Sequence, residues 1–576
     1  MFCANEQMPL ISTLDQLPNW KRELLETQWA KDFHDQIFPY INERNFAVLY
    51  SKKQASRPNS PVNVLVGLLI IKEIIQLTDE ELIGSLVFDA RFQYALHTME
   101  RATQPVSINT LTNFRNRLAN YFETTGIDLI KIEVEAMAER IAGQLNIDQR
   151  LMRMDSLMIS SSCKKLSRIE LIYNVNHCMI KALAKLASEV IPESCRGYLE
   201  KKHKNEIIYR TRDQETDSKL EALLKQTEEL YAVSSATGEK ITSSKAFSLL
   251  ARFIKEQTGS SEDGRLVAKP GKEIASESLQ NPTDPDATYR QKHGDNIGYV
   301  GNVLNVYNGQ NQVVIHYGLE QNTYSDQKFS ADAIGFLAFK EPTDNTTDSK
   351  KKVLNTDGAY YTEELSQEAA LHNIDLVPGQ LTGAKPDPQK LGYDQFSIDE
   401  QTHQVQECPG KHAPDEAYFD SKGKCYTVKM SKEKCAVCPL KEQCPMKPQQ
   451  KMNVIKFSEK RYHNDRLRVL MGTEAYRKLA NGRAGVERIP SVLRRRYRVD
   501  EMPIRGLVRV KIWFGFKIAA FNFKSLVKGT RKMGKTRLAY FYSIVKGHLM
   551  AYFGNIIQYF TKINNFIFQI QPVFVR

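Results

Sequence analysis

Apolar positions recur at helical spacing in the first part of the chain. The segment Val62 to Ile75 is apolar at this spacing, and Ser107 stands where the N-cap of a later helix is expected. Arg115 and Arg117 lie on the helix that follows Ser107. We therefore expect a helical domain over residues 1–135, whose basic last helix suits either DNA contact or plain packing.

Strand-like and helical patterns alternate in the middle of the chain. Residues 150–159 are strand-like, and a long helical region follows over 164–256. The next stretch, 257–296, is rich in Gly, Ser, Pro and Asp, which predicts a loop or linker. Two alternating apolar runs flank Asn308-Gly309, a pair that is typical of a β-hairpin turn. A strand, a helix and a strand follow over 352–356, 362–372 and 374–377. This order predicts an α/β (α+β) fold with a mixed sheet and flanking helices.

Basic residues are concentrated in one part of the chain. The net charge is +13, and residues 451–540 contain 24 Lys and Arg against 6 Asp and Glu, a local charge of +18. The remainder of the chain therefore carries a net charge of −5. Because aromatic residues are interspersed among these cations, the segment favours a nucleic-acid-binding surface over a merely solvated basic face.

The sequence lacks the signals of a membrane or secreted protein. It contains no run of eighteen uncharged apolar residues, so we expect no membrane-spanning helix. Its first ten residues lack the basic segment and apolar core of a secretory signal, which indicates a cytoplasmic protein. Five of the nine cysteines fall within 408–444, and such clustering in a reducing compartment indicates metal binding before disulfides.

Two aspartates occupy positions where a carboxylate can bind a metal ion. Asp155 interrupts an otherwise apolar strand, where an unpaired charge is costly. Asp357 stands at the C-terminal end of a strand, before Gly358. Acids on neighbouring strands can share two Mg²⁺ or Mn²⁺ ions, the arrangement used for phosphoryl displacement. For Asp357 alone, capping of a turn is the simpler explanation.

A third acid lies in a basic segment of the C-terminal part. Arg483, Glu487 and Arg494 are spaced by four and seven residues, which predicts that all three lie near one face of a helix. A carboxylate between guanidinium groups suits a site that holds a metal and binds phosphates, although a surface ion pair shares this spacing. Because of Pro490, the helix either kinks there or begins close to Glu487.

Further sequence blocks accompany these acids: Met154-Asp-Ser, Asp284-Pro-Asp-Ala, Asn355-Thr-Asp-Gly-Ala-Tyr and Arg483-Ala-Gly-Val-Glu487. Together they resemble the bacterial insertion-sequence transposases of the DDE class, whose catalytic core is RNase H-like, over about 61–526. The last block is similar to the family signature of Tyr, two residues, Arg, three residues, Glu, six residues and Lys. Arg494 stands at the Lys position, and Ala480 replaces the Tyr.

This resemblance implies DNA cleavage at the terminal inverted repeats of an insertion sequence, followed by strand transfer. It implies that Asp155, Asp357 and Glu487 are catalytic and bind two Mg²⁺ (or Mn²⁺) ions. The candidate DNA-binding residues are Arg483, Arg494, Arg115 and Arg117. The expected partners are transposon ends and target DNA. We expect a homodimer that joins two ends in the synaptic complex, associated with the bacterial nucleoid.

The cysteine cluster lies in a Lys- and Pro-rich loop. Thiolates two residues apart can bind one tetrahedral Zn²⁺ ion, and a further pair completes a closed structural site. Similar clusters occur in related transposases, with a Cys-Pro-Gly upstream. The preferred structural Zn²⁺ ligands are therefore Cys408, Cys435, Cys438 and Cys444. Cys425 or His412 could substitute for one of them, and unligated thiols are the alternative.

The predicted organisation has five parts. They are a helical DNA-binding domain (1–135), the first part of an RNase H-like core (148–390) with a helical insertion (164–290), a Cys-rich insertion (391–450), a basic helical end of the core with the third acid (451–535), and an aromatic-rich C-terminal helix or tail (536–576). Two other functions remain open: a transposase-derived DNA-binding protein that no longer transposes, and an RNase H-like nuclease that cleaves without joining.

Overall fold

The computed structural model describes residues 1–532, apart from 6–15, 54, 100–105, 210–214, 293, 310, 341–350, 384, 400 and 484. The C-terminal helix or tail predicted over 536–576 lies outside these residues. Among the helices within them, none is both long and apolar enough to cross a membrane.

Helices make up the N-terminal part of the structure. They are α1 (Asn19–Glu26), α2 (Trp29–Gln36), α3 (Val62–Ile75), α4 (Asp79–Phe88), α5 (Ala90–Ala95), α6 (Ile108–Thr125) and α7 (Leu129–Gln144). Helix α3 has the bounds that its apolar run predicts and is buried on nearly all sides, as is typical of a central core helix. Ser107 caps α6 as predicted, because its side chain accepts a hydrogen bond from the Thr110 N–H group.

The first strand is followed by a helical insertion. These elements are β1 (Leu151–Ser160), α8 (Arg168–Leu186), α9 (Thr216–Ala236), α10 (Glu239–Thr242), α11 (Lys245–Gln257), β2 (Thr258–Ser260) and β3 (Leu266–Ala268). The insertion has its own hydrophobic core, to which α8, α9 and α11 contribute. The stretch 257–296, predicted as a loop or linker, contains the antiparallel pair β2 and β3. Strands of three residues are too short to show alternation in the sequence.

The remaining strands of the main sheet follow with two helices. They are β4 (Thr288–Gln291), β5 (Asp295–Asn308), β6 (Asn311–Gln321), α12 (Asp326–Phe339), β7 (Lys352–Thr356), α13 (Glu363–Leu371) and β8 (Ile374–Pro378). Strands β5 and β6 form the predicted hairpin. Strand β5 lies between β6 and β1 and is antiparallel to both, whereas β1, β7 and β8 are parallel. Strand β4 pairs with the start of β5. The predicted mixed sheet is confirmed.

The Cys-rich part forms a small sheet. Its elements are β9 (Ser397–Asp399), β10 (Gln404–Glu407), β11 (Glu416–Asp420), β12 (Cys425–Ser431), α14 (Lys432–Ala436), β13 (Lys447–Pro448) and β14 (Met452–Ser458). The pairing of β11, β12, β14 and β13 in an antiparallel sheet was not predicted for this Cys-rich insertion, whereas the segment between Cys438 and Cys444 is a loop as expected. Aromatic packing of Tyr426 against Phe457, whose ring centroids are 5.4 Å apart, stabilises this sheet.

The C-terminal helices are α15 (Glu459–Met471), α16 (Glu474–Ala480), α17 (Arg488–Arg495) and α18 (Leu507–Lys532). Helix α18 packs against β6, α7 and α3, so the main sheet and the N-terminal helices share one hydrophobic core. The buried Asn522 side chain accepts a hydrogen bond from the Val314 N–H group and donates one to the Val314 carbonyl, both at 2.8 Å. These bonds fix the position of α18 along β6.

The start of α18 is held by the Asp284-Pro-Asp block. Asp284 is fully buried and accepts hydrogen bonds from the Tyr299 hydroxyl at 2.6 Å and from the Gly506 N–H group at 3.0 Å. Asp286 accepts one from the Leu507 N–H group at 2.9 Å. These carboxylates satisfy backbone N–H groups at the helix N-terminus, which would otherwise lack partners. The block therefore has a structural role.

Candidate active site

Asp155 and Asp357 lie on neighbouring parallel strands. Strands β1 and β7 pair with Arg153 opposite Asn355, so continuing this register by two residues brings Asp155 level with Asp357. Asp357 directly follows β7, and its Oδ1 atom accepts a hydrogen bond from the Gly358 N–H group at 2.8 Å. Asp357 therefore caps a turn and also lies beside Asp155.

The environment of Asp155 disfavours its negative charge. Burial raises the pKa of Asp155 to about 6, and the nearby carboxylates of Glu487 and Asp357 contribute to this rise. A hydrogen bond from the Ser156 N–H group and the positive charge of Arg483 act in the opposite direction. The three predicted acids are thus close enough for their charges to interact.

Glu487 reaches this site from a break between two helices. Helix α16 ends at Ala480, and α17 begins at Arg488, directly after Glu487. The prediction that Arg483, Glu487 and Arg494 share one helical face is therefore wrong for Arg483, which precedes the break. The alternative of a helix that begins close to Glu487 is confirmed. Pro490 fits there, because the N–H groups of a first helical turn have no intrahelical partner.

The predicted DNA-binding arginines differ in their surroundings. The Arg483 guanidinium lies 3.9 Å from the Asp357 carboxylate, beside the acids. Arg494 donates a hydrogen bond to the Met158 carbonyl at 2.9 Å, which holds α17 against β1. Arg115 makes two hydrogen bonds to Asp79, at 2.6 and 2.9 Å.

The side chains of Arg115 and Arg117 already make contacts within the protein. The Arg115 guanidinium lowers the pKa of Asp79, as expected for a strong ion pair. The Arg117 guanidinium lies 4.8 Å from the centre of the Tyr50 ring. Contact of Arg115 and Arg117 with DNA stays a prediction.

Arg153 contacts the elements that carry the site. Its role was not predicted from the sequence. It is buried on β1, two residues before Asp155, and its guanidinium lies 4.1 Å from the centre of the Tyr307 ring. It donates hydrogen bonds to Gln312 Oε1 at 3.0 Å and to the Gly482 carbonyl at 3.4 Å. Arg153 thereby connects β1 to the turn that carries Arg483. Its only sequence signal is a cation within an apolar strand.

Glu487 borders a cleft of about 560 Å³, which is also lined by Arg483, the arginine that faces Asp357. Its lining comes from the end of β8, from α15 and α16, and from the break before α17, and comprises Gly379, Met471, Tyr476, Arg477, Ala480, Asn481, Arg483, Gly485, Val486 and Glu487. The Tyr476 hydroxyl donates a hydrogen bond to the Pro378 carbonyl at 3.0 Å. This bond fixes α16 against the end of β8. The cleft therefore combines two arginines, Arg477 and Arg483, with the Glu487 carboxylate.

The four preferred cysteines also come together. Burial raises the pKa of the Cys444 thiol, and the neighbouring thiols of Cys435, Cys408 and Cys438 add to the rise. A Cβ atom at Gly410 would lie 2.7 Å from the Cys438 sulfur, so a glycine leaves room for the cluster. Cys425 lies apart on β12, where its thiol donates to the Gly423 carbonyl at 3.2 Å.

Neither cluster is closed in the form seen here. Across the described part of the chain, no group of three or more His, Cys, Asp or Glu side chains is arranged to hold a metal ion as it stands.

Replacing Asp155 by Asn is expected to stabilise the metal-free protein at high pH. The native pKa of about 6 lies above the ordinary value of 3.8, so ionisation of Asp155 costs stability as the pH rises between these values, and below the lower value the cost is absent. Thermal unfolding in a chelator should give Asp155→Asn a higher Tm than the natural protein at pH 8, with the gain fading toward pH 4. The exposed Asp263→Asn is the control. A Tm difference independent of pH would contradict the assignment.

Two family models match the chain. A transposase DDE domain matches residues 407–527, which include Glu487 and the cysteine cluster, and a transposase domain (DUF772) matches 22–117. Comparisons with curated proteins and with solved structures give no significant match. A DDE domain implies the RNase H-like fold, and the mixed sheet agrees with it. These two domains indicate that the chain is a transposase, in agreement with the insertion-sequence DDE class.

Proposed function

We propose that this transposase binds the terminal inverted repeats of an insertion sequence and catalyses metal-dependent DNA cleavage and strand transfer. The observation that carries the proposal is the proximity of Asp155, Asp357 and Glu487 to one another, beside a cleft that Arg477 and Arg483 line. Carboxylates beside cations suit phosphoryl transfer, in which metal ions and a phosphate group meet.

The residues at this site fit a divalent metal. Carboxylate oxygens are the ligands that Mg²⁺ and Mn²⁺ prefer, and Asp155, Asp357 and Glu487 would hold two such ions. Burial, with a smaller contribution from the carboxylates of Glu487 and Asp357, raises the pKa of Asp155, and a bound cation would stabilise its ionised form. When bound, the ions supply activation of water or a 3′-hydroxyl group and stabilisation of the leaving oxygen.

Arginine side chains would orient the DNA. The Arg483 guanidinium faces the Asp357 carboxylate at 3.9 Å, a distance too long for a hydrogen bond, and its Nε atom is buried without a hydrogen-bond partner among the described residues. Arg483 therefore retains donors for a phosphate oxygen. Arg494 would contact phosphates from the far end of α17 while its bond to β1 holds that helix in place.

A strand-transfer assay tests this function. The DNA that flanks the gene supplies candidate inverted repeats, and a donor carrying these ends is mixed with a target plasmid and Mg²⁺. Insertion of donor ends into the plasmid is the expected result. Cleaved ends without insertion would indicate an RNase H-like nuclease, and end binding without cleavage would indicate a DNA-binding descendant. Because two ends must be joined, the synaptic complex should contain two copies of the chain, which its measured mass would show.

We also propose that the cysteine cluster binds one structural Zn²⁺ ion through Cys408, Cys435, Cys438 and Cys444. Support comes from their mutual proximity around Gly410 and from the preference of Zn²⁺ for thiolates. Purified protein should contain about one zinc per chain. Cys438→Ser should lose the zinc and Cys425→Ser should retain it. Equal zinc content in both variants would contradict the ligand set.

A further inference from the structure

A second groove is lined in part by α17, whose first residue, Arg488, directly follows Glu487. It has a volume of about 510 Å³ and runs between α17 and α18, beside the β5–β6 hairpin. Its lining residues are Asn311, Gln312, Arg488, Val492, Arg496, Tyr497, Phe521, Lys524, Ser525, Val527, Lys528 and Arg531. Five are cations and none is acidic. The groove therefore carries a concentrated positive charge.

The cations are arranged along both walls at helical spacing. Arg488 and Arg496 are eight residues apart at the two ends of α17, and Lys524, Lys528 and Arg531 follow one another at four and three residues on α18. The two rows thus face a common groove. The floor between them is apolar and includes Tyr497 and Phe521, whose ring centroids are 6.5 Å apart.

No carboxylate in the described part of the chain neutralises these positive charges. Within the described residues, none of the five cations forms an ion pair with a carboxylate, whereas many other lysines and arginines do. Burial lowers the pKa of Lys524, and the charges of Arg496 and Arg531 lower it further. Residues 533–576, which follow α18 in the chain, contain no Asp or Glu that could neutralise the groove.

We propose that this groove binds the phosphate backbone of duplex DNA, in a manner independent of base sequence. Two rows of unpaired cations suit a regularly spaced polyanion better than a single small anion. Arg488 lines the groove and its chain neighbour Glu487 lines the cleft, so DNA held in the groove would lie next to the cleft. This last step rests on the proposed function of the cleft, whereas binding to the groove does not require catalysis.

The salt dependence of DNA binding tests the proposal. Affinity for a short duplex of arbitrary sequence is measured in a chelator over a range of salt concentrations, for the natural protein and for a variant with Arg496→Gln, Lys524→Gln and Lys528→Gln. The slope of log K against log salt should fall by about 0.9 for each lost phosphate contact, so by about 2 to 3 in total. The exposed Lys528→Gln alone, which has little reason to disturb folding, should lower the slope by about 1.

The matched control replaces three exposed lysines of the helical insertion by Gln: Lys181, Lys225 and Lys240. It removes the same charge and should leave the slope nearly unchanged. An unchanged slope in the groove variants, or an equal fall in the control, would overturn the proposal. Because no cleavage is measured, a failed strand-transfer assay would refute the proposed function without changing this result.

Discussion

Asp357→Asn is expected to abolish Mg²⁺-dependent DNA cleavage while DNA binding survives. The substitution keeps the size of the side chain, and its amide oxygen can still accept the hydrogen bond from the Gly358 N–H group. It removes one negative charge from the three carboxylates that would hold the metal ions. Loss of about 4 kcal/mol of transition-state stabilisation corresponds to a rate lower by about 10³-fold.

Asp375→Asn is the matched control for this experiment. Asp375 lies on the adjacent strand β8, where its carboxylate pairs with Lys351 at 3.1 Å, and it is not among the charges that act on Asp155. Cleavage by this variant should equal that of the natural protein. Asp155→Asn and Glu487→Gln should behave like Asp357→Asn. Normal cleavage by any one of the three would remove that residue from the site.

Glu73→Ala is expected to lower the free energy of unfolding by about 3 to 5 kcal/mol. Glu73 on α3 and Lys517 on α18 form an ion pair at 2.5 Å, and their side chains are only 10% and 6% exposed. Burial lowers the pKa of Lys517, and Glu73 opposes this effect. Removal of the carboxylate therefore leaves an ammonium group buried without its partner. Denaturant unfolding followed by tryptophan fluorescence measures the change.

Two further variants show whether the cost comes from the unpaired charge. Glu73→Met combined with Lys517→Met removes both charges and keeps the volume filled, so it should recover most of the lost stability. Glu474→Ala breaks a pair on α16 whose side chains are 83% and 74% exposed, and no measurable loss is expected there. Equal losses from Glu73→Ala and Glu474→Ala would show that the buried pair does not hold α3 against α18.

Local signals in the sequence predicted several elements of the fold. The run Val62–Ile75, the cap at Ser107 and the Asn308-Gly309 turn each depend on neighbouring residues, and the structure confirms them. The position of Asp155 beside Asp357 depends instead on the pairing of β1 with β7, about 200 residues apart in the chain. Strand pairing at that separation leaves no local pattern, and only the resemblance to a family brought these two acids together.

The break before α17 was not predictable from spacing alone. Arg483 and Glu487 have the spacing of one helical face, yet the intervening Gly485 has a φ of 87°, a backbone conformation that ends a helix. Spacing does not reveal whether a glycine continues or ends a helix. The role of Arg153 was missed for a related reason, because its contacts with Tyr307, Gln312 and Gly482 come from distant parts of the chain.

Binding of Mn²⁺ tests the central claim most directly, because it requires neither the terminal repeats nor a target. Titration calorimetry on the purified protein, with Zn²⁺ already in place, should show about two Mn²⁺ ions bound per chain. Asp155→Asn and Asp357→Asn should each lose at least one of them, and Asp375→Asn should lose none. Unchanged Mn²⁺ binding in Asp155→Asn and Asp357→Asn would contradict the assignment of these acids as the metal site.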